Sequence, residues 1–266
     1  MNAIIRRSLR KGLDVCKPLI TSTFRQTNLD LKGIEWRLRV HSFPSAIAVI
    51  REGNCNDRLL DLSCRLINRT RHTTVNALKE RGAPNWAARW PGEHYRLLAA
   101  LVEELRPRTV VEIGTFTGLG TVALLEQLPP EGQLTTFDVI PWNRILESQS
   151  GPDREDTYLK AEDFSSGRLT QVIADAGDPQ IAQRHAALFQ RADLIFVDGP
   201  KDGVFERRFL ENCAALSLRP GTILVFDDIR LLNMIDIWAG ITHPKLDFTG
   251  FGHFTGTGLV EWSSTA

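Results

Sequence analysis

Acidic residues recur in this chain at one kind of position, at or just after the end of a short apolar run. Glu112 lies in Thr109-Val-Val-Glu-Ile-Gly114, Asp138 near the end of Leu134–Val139, and Asp175 after Thr170–Ala174. Asp198 follows Ala192–Val197, and the pair Asp227-Asp228 follows Thr222–Phe226. Such runs read as strands of a parallel sheet covered on both faces, so their acids share one rim at the strands' carboxyl ends. Carboxylates gathered on one rim repel unless cations or hydrogen-bond donors meet them. Any one of them alone is explained as a helix cap, but the whole series is not. Asp138, after the second strand, suits a ribose diol, because a carboxylate accepts two hydroxyl hydrogens at once. Asp198, Asp227 and Asp228 offer three hard oxygen donors with no His or Cys close by in the sequence. That set suits Mg²⁺ or Ca²⁺ rather than zinc.

The first strand runs into a glycine turn, Gly114-Thr115-Phe116-Thr117-Gly118, and a helix starts at once. Gly114 and Gly118 let the backbone pass close to a ligand, and the helix start offers unpaired N–H groups. The series Gly114, Gly118, Gly120 is not the dinucleotide fingerprint, since Phe116 stands where its second glycine should be. A Walker-type Gly-Lys-Ser/Thr is also absent. Glu112, two residues before the first glycine, suits an ammonium better than a phosphate.

These features resemble the first motif of class I methyltransferases that use S-adenosylmethionine. The run Glu112-Ile-Gly-Thr-Phe-Thr-Gly118 is most similar to the catechol and caffeoyl-CoA O-methyltransferases. The resemblance implies that Glu112, Gly114, Thr115, Phe116 and Gly118 belong to the cofactor site, with Glu112 holding the methionine ammonium directly or through water. It also implies that Asp138 takes the ribose and Asp175 the adenine amino group. That family binds Mg²⁺ through an Asp after strand four and an Asp-Asn pair after strand five. Here the pair is Asp227-Asp228, as in relatives that methylate sugars of macrolide-type products. The family's lysine three residues beyond the first Asp corresponds to Lys201, the expected general base, with Asp202 a second candidate. Pro200, where the macrolide-type relatives carry their base, cannot serve. The expected reaction is methylation of a hydroxyl on a small molecule with vicinal oxygens. Lys201 would take the proton if a neighbouring cation lowered its own pKa.

The elements that must position these residues follow a regular βα alternation. A helix with Tyr95, Leu98, Leu101, Val102 and Leu105 at helical intervals ends before Pro107. Helices are expected over 118–128, 179–190, 204–216 and 231–241. A polar segment from Pro141 to Arg168 reads as a loop with a short helix, and Lys245–Trp262 as a closing hairpin. The expected fold is α/β and Rossmann-like: a doubly wound, mostly parallel seven-stranded sheet with a C-terminal antiparallel hairpin and an N-terminal helical extension. The division is 1–85 for the extension, read as a substrate lid or homodimerisation arm, and 86–266 for the methyltransferase domain.

Composition sets outer bounds. Net charge is zero, so no overall field recruits nucleic acid. Residues 1–40 carry nine Lys and Arg against Asp14, Asp30 and Glu35, which reads as a basic helical arm and leaves the rest net acidic. Cys16, Cys55, Cys64 and Cys213 form no Cys-x-x-Cys, the pattern of thiols in a reducing, cytoplasmic setting. No apolar run reaches membrane-spanning length. His94, His185, His243 and His253 are scattered and read as structural; Trp142 is a candidate to pack on adenine. Three other readings stand beside the first: a metal-independent N-methyltransferase whose acids bind an amine, a nicotinamide-dependent oxidoreductase, and an inactive cofactor-binding scaffold. Phe116 and the lack of a Tyr-x-x-x-Lys dyad weigh against the oxidoreductase.

Overall fold

A computed structural model describes residues 55–149 and 156–263. The basic arm expected in residues 1–40 lies outside the described residues. Seven strands form one sheet: β1 (Thr109–Ile113), β2 (Gln133–Asp138), β3 (Leu169–Ile173), β4 (Leu194–Val197), β5 (Ile223–Asp227), β6 (Lys245–Asp247) and β7 (Thr257–Glu261). Their order is β3-β2-β1-β4-β5-β7-β6. β1 to β5 pair in parallel, and β7 runs antiparallel between β5 and β6. This is the expected mostly parallel sheet with its antiparallel closure.

The register explains why the central strands are largely apolar. Val111, Ile195, Leu224 and Val260 lie side by side across four strands and face one core. One residue along, Phe196, Val225 and Leu259 face the other core. Glu112 pairs beside Phe196, so its side chain falls in an apolar row. The Phe196 core is covered by α1 (Asp57–Thr70), α2 (Asn76–Glu80), α3 (Tyr95–Leu105) and α4 (Leu119–Glu126). Two short helices follow β2, α5 (Ile145–Ser148) and α6 (Ala161–Ser165). The opposite core is covered by α7 (Pro179–Arg184), α8 (Ala186–Arg191), α9 (Phe205–Ala215) and α10 (Met234–Gly240).

Several boundaries differ from expectation. The helix expected over 179–190 breaks at His185, where one helix ends and the next is entered. The last helix begins at Met234 rather than 231, because Asp228 and Leu232 take left-handed backbone conformations. Among its described residues, the segment 141–168 holds two short helices and a 3₁₀ turn, Trp142–Arg144. Leu60 faces solvent, whereas Leu59, Leu62 and Leu66 are buried. Among the described residues no helix is long and apolar enough to cross a membrane.

Candidate active site

The register that pairs Val197 with Phe226 sets Asp198 beside Asp227 at the carboxyl edge of the sheet. Between β1, which leads to β2, and β4 on its other side lies the point where strand order reverses, the usual place for a ligand in such a sheet. A cleft of about 710 Å³ opens there. Gly114, Phe116, Asp138, Asp175, Asp198, Lys201, Asp202 and Asp227 line it.

At the β1 turn, Gly114 has φ of +95° and its Cα faces the Asp198 carbonyl, which an added Cβ would approach to 2.1 Å. Only glycine allows this contact between the ends of β1 and β4. Phe116 is half exposed with φ of +42°, and its N–H donates to Asp138 Oδ2 at 2.9 Å. Ile140 N–H donates to Asp138 Oδ1 at 3.0 Å, so both carboxylate oxygens are fixed at the cleft wall. Asp175 accepts from Gly177 N–H at 2.8 Å and pairs with Arg208 at 3.1 Å.

Glu112, Thr115 and Gly118 lie behind the wall. Thr115 Oγ1 is buried against Thr136 and Gln171, and Gly118 backs onto Leu159. Glu112 is fully buried and accepts from Thr121 Oγ1 at 2.5 Å, while its Oε1 has no partner. Burial pushes its carboxyl up to about 8, although hydrogen bonds from Thr121 and Thr136 oppose the shift. Glu112 does not itself line the cleft. Trp142 stacks on Phe164 at 5.2 Å between ring centroids and does not line the cleft.

Asp198, Asp227 and Asp228 offer oxygens that all lie within 4.8 Å of one another. The Lys201 ammonium sits among them, in direct contact with Asp198, 3.3 Å from Asp228 Oδ2 and 3.9 Å from Asp227 Oδ2. Burial alone would lower the Lys201 pKa, but these three carboxylates raise it well above the ordinary lysine value. Burial raises the Asp198 carboxyl despite Lys201. Burial acts the same way on Asp227, but His94, His253 and Lys201 outweigh it and hold that carboxyl below its usual range. Asp228 Oδ1 is buried without a hydrogen bond. Three converging oxygen donors, one of them unsatisfied, fit a hard divalent ion. Phe116, Lys201 and Asp228 all have φ between 42° and 60°, so left-handed backbone at non-glycine residues gathers around this site.

Tertiary folding adds residues that the sequence reading left aside. Glu206, on the first turn of α9, accepts from Lys201 N–H and Gly203 N–H at 2.8 Å each, and so clamps the loop that carries Lys201. Asp202 caps α9 through the N–H groups of Val204 and Phe205. His94 and His253, read as structural, both face Asp227, at 3.5 and 3.3 Å. Burial lowers the His253 pKa, yet its contacts with Asp227 and Asp228 push it up to about 10. Nothing local marks these histidines: one precedes α3 and the other precedes β7, and only the sheet brings them together.

The sheet order, the glycine turn after β1 and the rim of acids match the Rossmann-like fold expected from the sequence. Residues 111–229 match the sequence profile of a methyltransferase domain. Catechol O-methyltransferase B of Danio rerio is 28% identical over 54% of this chain and 51% of its own length. Catechol O-methyltransferase of Niastella koreensis is 27% identical over 58% of this chain and 63% of its own length. The chain thus spans about half to two-thirds of these relatives. Among solved structures, the O-methyltransferase TomG from Streptomyces achromogenes in complex with SAM is 21% identical, with a TM-score of 0.44, covering 75% of this chain and 90% of that one. Over residues 111–229 the chain is thus similar to methyltransferase domains, and over a little more than half its length to catechol O-methyltransferases.

Proposed function

We propose that this protein methylates a hydroxyl of a small molecule bearing neighbouring oxygens, with a divalent cation held by Asp198, Asp227 and Asp228. The observation that carries the reading is the convergence of these three carboxylates, two of which, Asp198 and Asp227, line the same cleft as the glycine turn and Asp138. S-adenosylmethionine would supply the activated methyl carbon, and a hard cation would make a nearby hydroxyl more acidic. The chain's own residues align the two partners. The Gly114–Phe116 turn and Asp138 hold the nucleoside side, Asp175 lies where the adenine is expected, and Glu112 supports the turn from behind. Lys201 lies among the three carboxylates that would hold the cation and would be the residue to accept the hydroxyl proton there. Alignment of this kind makes an in-line displacement effectively unimolecular.

Calorimetry with S-adenosylmethionine and with NAD tests the cofactor, and binding of NAD in preference would overturn the reading. Incubation with labelled cofactor and a panel of catechols, glycosides and hydroxy acids, before and after exhaustive chelation with EDTA, tests the chemistry. Label transfer that chelation abolishes and Mg²⁺ restores is the expected result. A second reading, metal-independent transfer to an amine, is favoured by one feature: the Lys201 ammonium already balances the carboxylates. Transfer that survives chelation selects it.

A further inference from the structure

Asp227 has two sides. Its Oδ2 faces Lys201, on the oxygen-only side with Asp198 and Asp228. Its Oδ1 faces two imidazoles that the proposed reaction leaves unused. His94 Nδ1 lies 3.5 Å from this oxygen and His253 Nδ1 lies 3.3 Å from it. The two rings meet edge to face at 5.3 Å.

His94 is 2% exposed, and neither of its ring nitrogens has a hydrogen-bond partner. A buried polar group left in that state is costly. Separations of 3.3 and 3.5 Å are long for hydrogen bonds. They match the spacing between ligand atoms of a tetrahedral site, which is about 3.4 Å for metal–ligand lengths of roughly 2.0–2.2 Å. The donor atoms of His94, Asp227 and His253 all lie within 4.8 Å of one another, and all three residues line the cleft. A fourth coordination position would therefore open to the cleft interior.

We propose that His94, Asp227 and His253 form a binding site for a borderline divalent transition ion of the zinc and cobalt class. The site is separate from the oxygen-only cluster and shares Asp227 with it. Two imidazoles and one carboxylate suit such ions, whereas Mg²⁺ and Ca²⁺ prefer oxygen alone. Glu93 Oε2 lies 3.8 Å from His253 Nε2 and places a carboxylate behind the ring, so that an ion at Nδ1 would take the place of the proton His253 directs toward Asp227. The Thr255 hydroxyl, 2.7 Å from His253 Nδ1, and Asp228 Oδ1, 3.5 Å from it, are the contacts an ion at Nδ1 displaces.

Cobalt(II) alone, titrated into the metal-free full chain and followed by visible absorption and calorimetry, tests this. The expected result is one equivalent producing the intense visible bands of four-coordinate cobalt, which added zinc removes. His253→Gln and His94→Asn should each weaken this binding by about 100-fold or more, beyond the roughly 10–100-fold typical of outer-sphere changes. Asp198→Asn should leave the bands in place. Circular dichroism checks each variant's fold, and His253→Gln, at the less buried position, carries the test if His94→Asn fails to fold. The proposal is overturned if no such bands appear, or if Asp198→Asn removes them while His253→Gln keeps them. Because neither cofactor nor acceptor is present, failure of the methylation reading leaves this result unaffected.

Discussion

Lys201 is the residue on which charge in the cleft turns. Its ammonium is largely buried and in reach of three carboxylates, so it holds its proton. A proton-accepting role belongs only to a state in which those carboxylates have another partner. Lys201→Met should therefore leave uncompensated buried charge and cost on the order of 3–5 kcal/mol in the absence of divalent ions. Mg²⁺ should restore much of that loss, read as a rise in melting temperature larger than in the unaltered protein. A Lys201→Met protein as stable as its parent, and indifferent to Mg²⁺, would show that the carboxylate trio holds no net charge. Glu112 makes a second prediction at this scale. Its carboxyl is pushed up to about 8 in the folded chain from an ordinary value of 4.5. The folded state thus binds the proton more tightly than the unfolded state. Its contribution to stability is complete below about pH 4.5 and is lost as pH rises through about 8. Glu112→Gln removes this dependence. Denaturant unfolding should find the variant gaining on the parent between pH 5 and 8, and parallel profiles would show that Glu112 ionises freely.

At the scale of elements, the turn between β1 and α4 sets the distance between two strand ends. A Cβ at Gly114 would lie 2.1 Å from the Asp198 carbonyl oxygen, and φ of +95° is strained for any other residue. Gly114→Ala must push β1 and β4 apart at the cleft. It should lose cofactor binding by calorimetry along with several degrees of melting temperature, whereas normal binding would show that the turn yields freely. Glu206 does the same for the loop after β4. Glu206→Ala leaves the N–H groups of Lys201 and Gly203 without their acceptor, at a cost of about 1.5–3 kcal/mol for each charged hydrogen bond. Turnover should fall more than cofactor affinity, and Glu206→Gln should recover part of it; equal losses in both would mark a purely structural clamp. The central strands β4 and β5 were legible because burial on both faces makes each a continuous apolar run, and the acids were legible because they stand at or near the ends of the strands. Helix starts were less so. Asp228 and Leu232 delay α10 through left-handed backbone, which their residue types do not announce. The pair Glu93-His94 and His253 reach the cleft from segments far apart in sequence, so no local spacing reveals them. Glu112 was legible as part of the turn but not as a buried support, because its row faces Phe196 rather than the cleft.

For the molecule as a whole, the question is what residues 55–80 contribute. The sequence reading places them in an extension that ends at 85, to serve as lid or dimer arm. Their packing ties them to the sheet. Leu59, Leu62 and Leu66 of α1 are no more than 4% exposed and share a core with Leu98, Leu101, Val225 and Leu259. Asn56 and Arg58 bond Glu261 on β7, and Arg65 and Arg69 bond Glu104 on α3. Arg96 of α3 donates to the carbonyl of Thr70, the last residue of α1, and to those of Arg71 and Thr73 just beyond it. These contacts fix α3, and α3 in turn fixes His94 and Glu93 on the cleft wall. A mobile lid and an integral layer predict different losses. Leu66→Ala should cost about 2–5 kcal/mol of stability, as for a fully buried leucine. A chain lacking residues 1–80 should lose cooperative unfolding and cofactor binding together, measured by thermal denaturation and calorimetry. If it instead kept both and lost only acceptor affinity, α1 would be a lid resting on a domain complete without it.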